Sequence, residues 1–394
     1  MPAPLMDTYA PPNLDFVRGE GAYLIEKSGD QYLDFISGIA VNALGHAHPK
    51  MVAALKDQAD KLWHTSNMFR VAGQKELAES YCRDSFADRV FFTNSGTEAI
   101  ECAIKTARHY HFANGRADRY RIITFTGAFH GRTYGGINAG GNPAYLEGFG
   151  PRMEGFDQVA FADHEALKAA VTEETAAILV EPVQGEGGVR AIPETCLRGL
   201  RDLCDEHGLL LIYDEVQCGA GRTGKLWAHE WAETAKPDIM AVAKGVGGGF
   251  PMGACLATDE AGKHMVPGTH GSTFGGNPLA MAVGQVVYDE LTKPELLQNV
   301  VDMANALRQQ MESLVDTHSD KVVEVRGKGL LLGMKLKPEY LNKALAAKAR
   351  EHHLLMGAAG DNVARFAPPL IINEDHVRQA VTALDNALGG LEPA

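Results

Sequence analysis

The sequence predicts an α/β fold: a large domain built on a mostly parallel central sheet with helices on both faces, plus a smaller α+β domain. Three observations predict it. First, short runs that are apolar on both faces recur through the middle of the chain: RVFFTN (89–94), RIITF (121–125), AAILVEP (176–182), LLLIYDEV (209–216) and IMAVAKG (239–245). A strand covered on both sides reads as a continuous apolar run, as parallel strands under helices do. Second, stretches with helical spacing lie between these runs, such as Ile100, Ile104 and Ala107, then Leu197, Leu200, Leu203 and Cys204. Strand–helix alternation of this kind makes βαβ units and a parallel-rich sheet. Third, the pattern changes in the last hundred or so residues. A helix around 296–315 is followed by VVEVRGKGLLLGMKL (322–336), two strands about a glycine turn. A final helix carries Val377, Val381, Leu384 and Leu388. The expected division is an N-terminal segment, 1–48, whose strands in AYLIEKSGDQYLDF (22–35) pack with the small domain. A large domain, 49–288, and a small domain, 289–394, follow.

Composition excludes several classes. The chain has 394 residues and a net charge of -13. Nucleic-acid binding needs clustered Lys and Arg to displace counterions, so a polyanion partner is not expected. No apolar run approaches the roughly 18 residues of a membrane span. The opening MPAPLMDTYAPP lacks a basic stretch followed by an apolar one, so no signal peptide is expected. The six cysteines form no C-x-x-C pair and read as free thiols in a reducing cytoplasm, with no metal site.

Two nucleotide motifs overlap at GAGRTGK (219–225), and neither holds together. GAGRTG matches G-x-G-x-x-G, with Asp238 near the place of a ribose-binding acid. However, DEVQC separates the apolar strand from the first glycine, and Asp238 precedes the next strand. GAGRTGK also fits a phosphate-cradling loop, but Leu226 stands where a hydroxyl is needed for magnesium. A glycine-rich connection near a subunit surface is the expectation.

A different constellation fits pyridoxal phosphate. That cofactor needs a lysine amine, a carboxylate facing the pyridine nitrogen, donors for the phosphate, and something to sandwich the ring. Lys244 follows IMAVA and precedes GVGGGFPMG, at the mouth of a buried strand. Desolvation there lowers an amine's pKa and helps it act as nucleophile and base. Asp214 ends the strand LLLIY; ligands of open α/β sheets bind beyond the carboxyl ends of strands, so both residues open into one crevice. In NSGTEAIECAIKTARHY (94–110), Ser95, Gly96 and Thr97 fall at a helix N-terminus, where free N–H groups and the dipole favour phosphate. Simple capping by Ser95 or Thr97, and a turn cap at Asp214, remain open as plainer readings. GSTFGGN (271–277) offers a second small, hydroxyl-rich loop.

GVGGG after Lys244, with DEVQCGAGRTG, NSGTEA, AFHGRT, VEPVQGEGGV and HGSTFGGNP, resembles the class III (ω-amino) aminotransferases. The likeness runs in order from SGIAVNALGHAHP (37–49) through VRGKGLLLG (325–333) to RFAPPL (365–370). It implies fold type I, a homodimer with active sites at the subunit interface, and small-molecule substrates. Carried over by residue, it implies that Gly96 and Thr97 bind the phosphate beside Ser95, helped by Thr273 of the partner subunit. Phe129 stacks on the ring, Asp214 pairs with the ring nitrogen, Gln217 lies near the phenolic oxygen, and Lys244 is the Schiff-base lysine. Arg132 and Ser272 contact the donor. The resemblance places Glu186 and Arg365 in the crevice; the expectation is that Glu186 neutralises Arg365 while the donor reacts and releases it to the oxo-acid, with a fixed structural salt bridge as the plainer alternative.

The implied reaction passes the terminal amine of N2-acetyl-L-ornithine to 2-oxoglutarate, giving glutamate. Succinylornithine, N-succinyl-diaminopimelate and ornithine are alternative donors, and an aminomutase is the alternative of a different class. Ornithine enzymes of the family typically carry tyrosine where Ile39 stands, which leans towards an acylated donor.

Overall fold

The computed structural model describes residues 4–394. The first three residues of the expected N-terminal segment lie outside that range. Strands β1 (Phe16–Glu20), β2 (Tyr23–Glu26) and β3 (Gln31–Asp34) form an antiparallel meander. The central layer contains β4 (Arg89–Thr93), β5 (Arg121–Phe125), β6 (Phe156–Val159) and β7 (Thr175–Val180). After the small hairpin β8 (Val183–Gln184) and β9 (Arg190–Ala191) come β10 (Leu210–Asp214), β11 (Ile239–Val242) and β12 (Gly253–Ala257).

These make a 7-stranded sheet in the order β4-β12-β11-β10-β7-β5-β6. All pairings are parallel except those of β12, which runs against both neighbours. The strands expected from the apolar runs all form. The sequence reading missed β6 and β12. FDQV has no apolar run, and GACLA consists of small residues following GGGFPM, which reads as loop. The sheet is an α/β layer, as expected, with one antiparallel member.

Side chains alternate across this sheet, as the two-residue period of a strand requires. Ile122, Ala177, Leu210, Ile212 and Ile239 join one buried cluster with Ile100, Ile104 and Ala107 of the helix Gly96–Ala113. Ile123, Ile178, Leu211, Tyr213 and Met240 join the opposite cluster, with Leu197, Leu200 and Cys204 of the helix Glu194–His207. Neither strand face can be polar, which explains the unbroken apolar runs. Ile212 is fully buried, so truncation to Ala costs about 2–5 kcal/mol through lost transfer and a cavity.

A second 4-stranded sheet contains β13 (Val322–Lys328) and β14 (Leu331–Leu336), with β16 (Gly357–Ala359) and β17 (Val363–Phe366), in the order β13-β14-β17-β16. The helices Pro294–Thr317 and Glu374–Gly389 pack against each other beside it. Between the last sheet strands, the short β15 (Leu354–Leu355) leaves that sheet and pairs in parallel with β3.

The loop GAGRTG is not at a surface, contrary to expectation: Gly219 to Gly224 are all buried. The Arg222 guanidinium explains it, because Nη1 donates to the carbonyl oxygens of Leu330 (3.1 Å) and Pro368. The loop thereby fastens the central layer to the C-terminal sheet. Asp238 is equally committed, accepting from Leu211 N at 2.7 Å and Arg201 Nη1 at 2.8 Å.

Candidate active site

The carboxyl ends of β4, β10 and β11 open on the same edge of the sheet. After β4 the chain turns through Asn94 and Ser95 into the 18-residue helix Gly96–Ala113. Ser95 is its N-cap, with Oγ accepting from Glu98 N at 3.4 Å. Glu98 reaches back to accept from Asn94 N at 2.6 Å. The cap and the exposed end of the dipole therefore coexist: Ser95 takes one amide, and Gly96 and Thr97 still lead the helix toward the cleft. A Cβ on Gly96 would lie 2.6 Å from Val216 Cγ1, so glycine is what lets the loop after β10 pass so close. Thr97 Oγ1 accepts from Arg132 N at 3.3 Å and lies 3.2 Å from Thr133 Oγ1, tying the AFHGRT loop to the helix start. Gly131 permits this approach, having φ +109° and room for no Cβ beside Thr97.

Asp214 is the last residue of β10 and is buried. Its Oδ1 accepts from Val216 N at 3.0 Å, and His130 Nδ1 donates to its Oδ2 at 2.8 Å. Burial works to lower the His130 pKa, but the hydrogen bond and charge of Asp214 outweigh it and raise the value. Glu181, just past β7, accepts from Phe129 N at 2.9 Å and Gly185 N at 3.1 Å. Burial, reinforced by the nearby Asp214 charge, lifts its carboxyl to about 7. His130 and Glu181 are functional candidates that the sequence reading passed over, although AFHGRT and VEPVQGEGG contain them. The one visible signal was an acid closing an apolar strand, and a turn acid looks the same in sequence.

Lys244 follows β11 and opens a one-turn 3₁₀ helix with φ +51°, a conformation non-glycine residues rarely adopt. Such strain costs on the order of 1–3 kcal/mol and persists where the surroundings fix it. Burial presses the amine below its ordinary pKa, while Glu186 opposes the shift. Across the cleft, Arg365 of β17 pairs with Glu186, and its Nη1 also donates to Gln217 Oε1 at 3.0 Å. Gln217 Nε2 donates to Glu186 Oε1 at 3.4 Å, which closes a triangle. Burial raises the Glu186 pKa, but Arg365, helped by Lys244 and Gln217, more than cancels it, so the carboxyl stays below its usual range.

Of the residues singled out by sequence, Ser95, Gly96, Thr97, Phe129, Arg132, Asp214, Gln217 and Lys244 line one cavity of about 430 Å³. Glu186 lines an adjoining cleft of about 560 Å³, which shares Phe129. Arg365 reaches the site through Glu186 and Gln217. Ser272 lies outside this cavity, lining a separate cleft with Asn67 and Arg70, where its Oγ accepts from Asn94 Nδ2 at 3.2 Å. Thr273 is exposed and lines neither. Among the described residues, no group of His, Cys, Asp or Glu is arranged to hold a metal ion.

The donor set suits one cofactor chemistry. A desolvated amine takes an aldehyde, a buried carboxylate favours a protonated ring nitrogen, and a helix N-terminus floored by Gly96 and Gly131 leaves space for a phosphate. This combination puts the chain among the pyridoxal-phosphate enzymes. Residues 6–388 match the class-III aminotransferase family model, and the chain belongs to that family. It is 57% identical over 384 residues to acetylornithine aminotransferase 2 of Caulobacter vibrioides, covering 97% of this chain and 94% of that one. Among solved structures, it superposes on the N-acetylornithine aminotransferase of Stenotrophomonas maltophilia with a TM-score of 0.84 and 38% identity, covering 96% of each chain. The ornithine aminotransferase of Toxoplasma gondii gives a TM-score of 0.93 at 31% identity, over 98% of this chain and 92% of that one.

Proposed function

We propose that this aminotransferase passes the terminal amine of N2-acetylornithine to 2-oxoglutarate, giving N-acetylglutamate 5-semialdehyde and glutamate, a step of arginine biosynthesis. The observation that carries the reading is the triangle of Glu186, Arg365 and Gln217 within the electrostatic reach of Lys244. A two-substrate transaminase must accept a donor with no carboxylate beside the reacting carbon, then an acceptor that has one. An arginine masked by a glutamate suits the first, and an unmasked arginine suits the second. The names of the relatives support the acylated donor.

In this reading Gly96, Thr97 and the capped Ser95 hold the cofactor phosphate, Phe129 covers the ring and Gln217 lies near its phenolic oxygen. When bound, pyridoxal phosphate supplies an electron sink for the carbon that loses its proton. Lys244 holds the cofactor through its amine and, once released, moves the proton at the donor carbon. Burial, which lowers its pKa, favours the free base that this step needs. Asp214 is held rigid by His130 and Val216 N so that its charge meets the ring nitrogen. Arg132 takes the donor's carboxylate, and Ser272 and Thr273 act across a homodimer interface. The described part of the segment 1–48 packs with a small domain at 289–394, 49–288 form the cofactor-binding domain, and the enzyme works in the cytoplasm. No helix among the described residues is long and apolar enough to cross a membrane.

A donor panel assayed with 2-oxoglutarate tests the proposal. N2-acetylornithine should give the highest kcat/KM. Preference for succinylornithine, N-succinyl-diaminopimelate or free ornithine would move the assignment to that donor, and turnover without an acceptor would make the enzyme an aminomutase.

A further inference from the structure

The guanidinium of Arg132 is held by rings. Its Cζ lies 3.7 Å from the centroid of Tyr145 and 5.7 Å from that of Phe129. The two rings meet edge to face, 6.0 Å apart at 89°. Arg132 is exposed and pairs with no carboxylate among the described residues, so its donor edge is uncommitted. Tyr145 is anchored from below. It sits in the one-turn helix Pro143–Leu146, capped by Asn142, whose Oδ1 accepts from Ala144 N at 3.0 Å, and Leu146 beside it is buried. Tyr145 also lines the cleft that contains Glu186 but not the cavity that contains Lys244.

We propose that Tyr145 is a positioning residue: its ring, set at a right angle to that of Phe129, confines the Arg132 guanidinium and fixes the bearing on which that arginine meets the donor's carboxylate. The inference rests on the reading that Arg132 takes this carboxylate. A guanidinium on a four-bond side chain loses rotamer freedom whenever it binds a planar anion. A ring at 3.7 Å removes that freedom in advance and leaves all the N–H groups in the guanidinium plane free for bidentate contact. Tyr145 never touches the reacting atoms, and its contribution appears only in the recognition of a carboxylate.

The test compares two donors that differ by that carboxylate alone, N2-acetylornithine and N-acetylputrescine, on holoenzyme variants Y145F, Y145A, R132A and R132A/Y145A. For Y145A, KM for acetylornithine should rise roughly 3- to 30-fold, the range of a cation–π contact. kcat should hold, and the constants for acetylputrescine should stay within about twofold. Y145F keeps the ring and should restore the discrimination. In the R132A background, adding Y145A should cost nothing more for acetylornithine. Equal losses of Y145A on both donors, or full additivity with R132A, would overturn the clamp. If R132A itself leaves the two donors discriminated as before, the assignment of Arg132 falls first, and the clamp falls with it.

Discussion

Arg365 and Glu186 stand 179 residues apart in the chain, one on the C-terminal sheet and one beyond the central sheet, yet share an ion pair in which the arginine side chain is 3% exposed. Truncating one member of a desolvated pair costs ~2–5 kcal/mol, or roughly 30- to several-thousand-fold. Arg365→Ala should therefore impair the half-reaction with 2-oxoglutarate far more than the half-reaction with the amino donor. Glu186→Ala should leave Arg365 unmasked and let glutamate compete better as donor. Single-turnover absorbance of each half separates the two. Equal losses in both halves for Arg365→Ala, with donor preference unchanged in Glu186→Ala, would leave a plain structural salt bridge.

Lys244→Ala should abolish turnover, with ~100- to 10,000-fold lost from proton transfer alone. It should also end covalent retention of the cofactor, read by mass spectrometry after borohydride reduction. A variant that stays near the normal rate and still gains the cofactor mass would mean that another lysine does the work.

Thr273 is exposed and does not line the cavity of its own chain. If it serves the partner's site, Thr273→Ala should weaken cofactor binding by roughly 10- to 150-fold, the cost of a hydrogen bond to a charged group. Mixing Thr273→Ala with Lys244→Ala chains should then restore activity, because each mixed dimer contains one intact site and one doubly altered site. Demonstrated subunit exchange without recovery counts against sharing.

Glu181 gives a pH signature. Its folded pKa, about 7, lies above the ordinary value of 4.5, so the folded state binds the proton more tightly than the unfolded chain does. Stability from this group is fully present below pH 4.5 and is lost as pH rises through about 7. His130, also raised, has the same sign. Thermal unfolding of the apoenzyme should show wild type losing up to ~3 kcal/mol relative to Glu181→Gln across that window, levelling off above it. A difference independent of pH would mean that Glu181 is already ionised in the fold.

The sequence made the buried parallel strands legible because Ile212 and Tyr213, adjacent in the chain, are both apolar and both covered, one by each helical layer. It could not reveal β12, since Gly253, Ala254 and Ala257 have side chains too small to mark a strand and are buried only because two neighbours flank them. In the site, Lys244 and Asp214 were readable from strand ends. His130 was not, because a histidine acquires its role from the carboxylate that the fold brings within 2.8 Å from 84 residues away. The GAGRTG loop misled for a related reason: burial of Arg222 depends on carbonyls at Leu330 and Pro368, which no local pattern announces.

The pairing of β3 with β15 sets an order of events during synthesis. Leu33 and Asp34 find their partners at Leu354 and Leu355. At ~5–20 residues per second, a ribosome takes roughly 15 to 65 s to make the intervening stretch. Through that interval β3 presents an unpaired edge, and the central layer gains its last strand, β12, at Ala257, well before β15 is made. The N-terminal meander must therefore wait, and a nascent chain stalled before residue 354 would display that edge to any chaperone able to hold a bare strand.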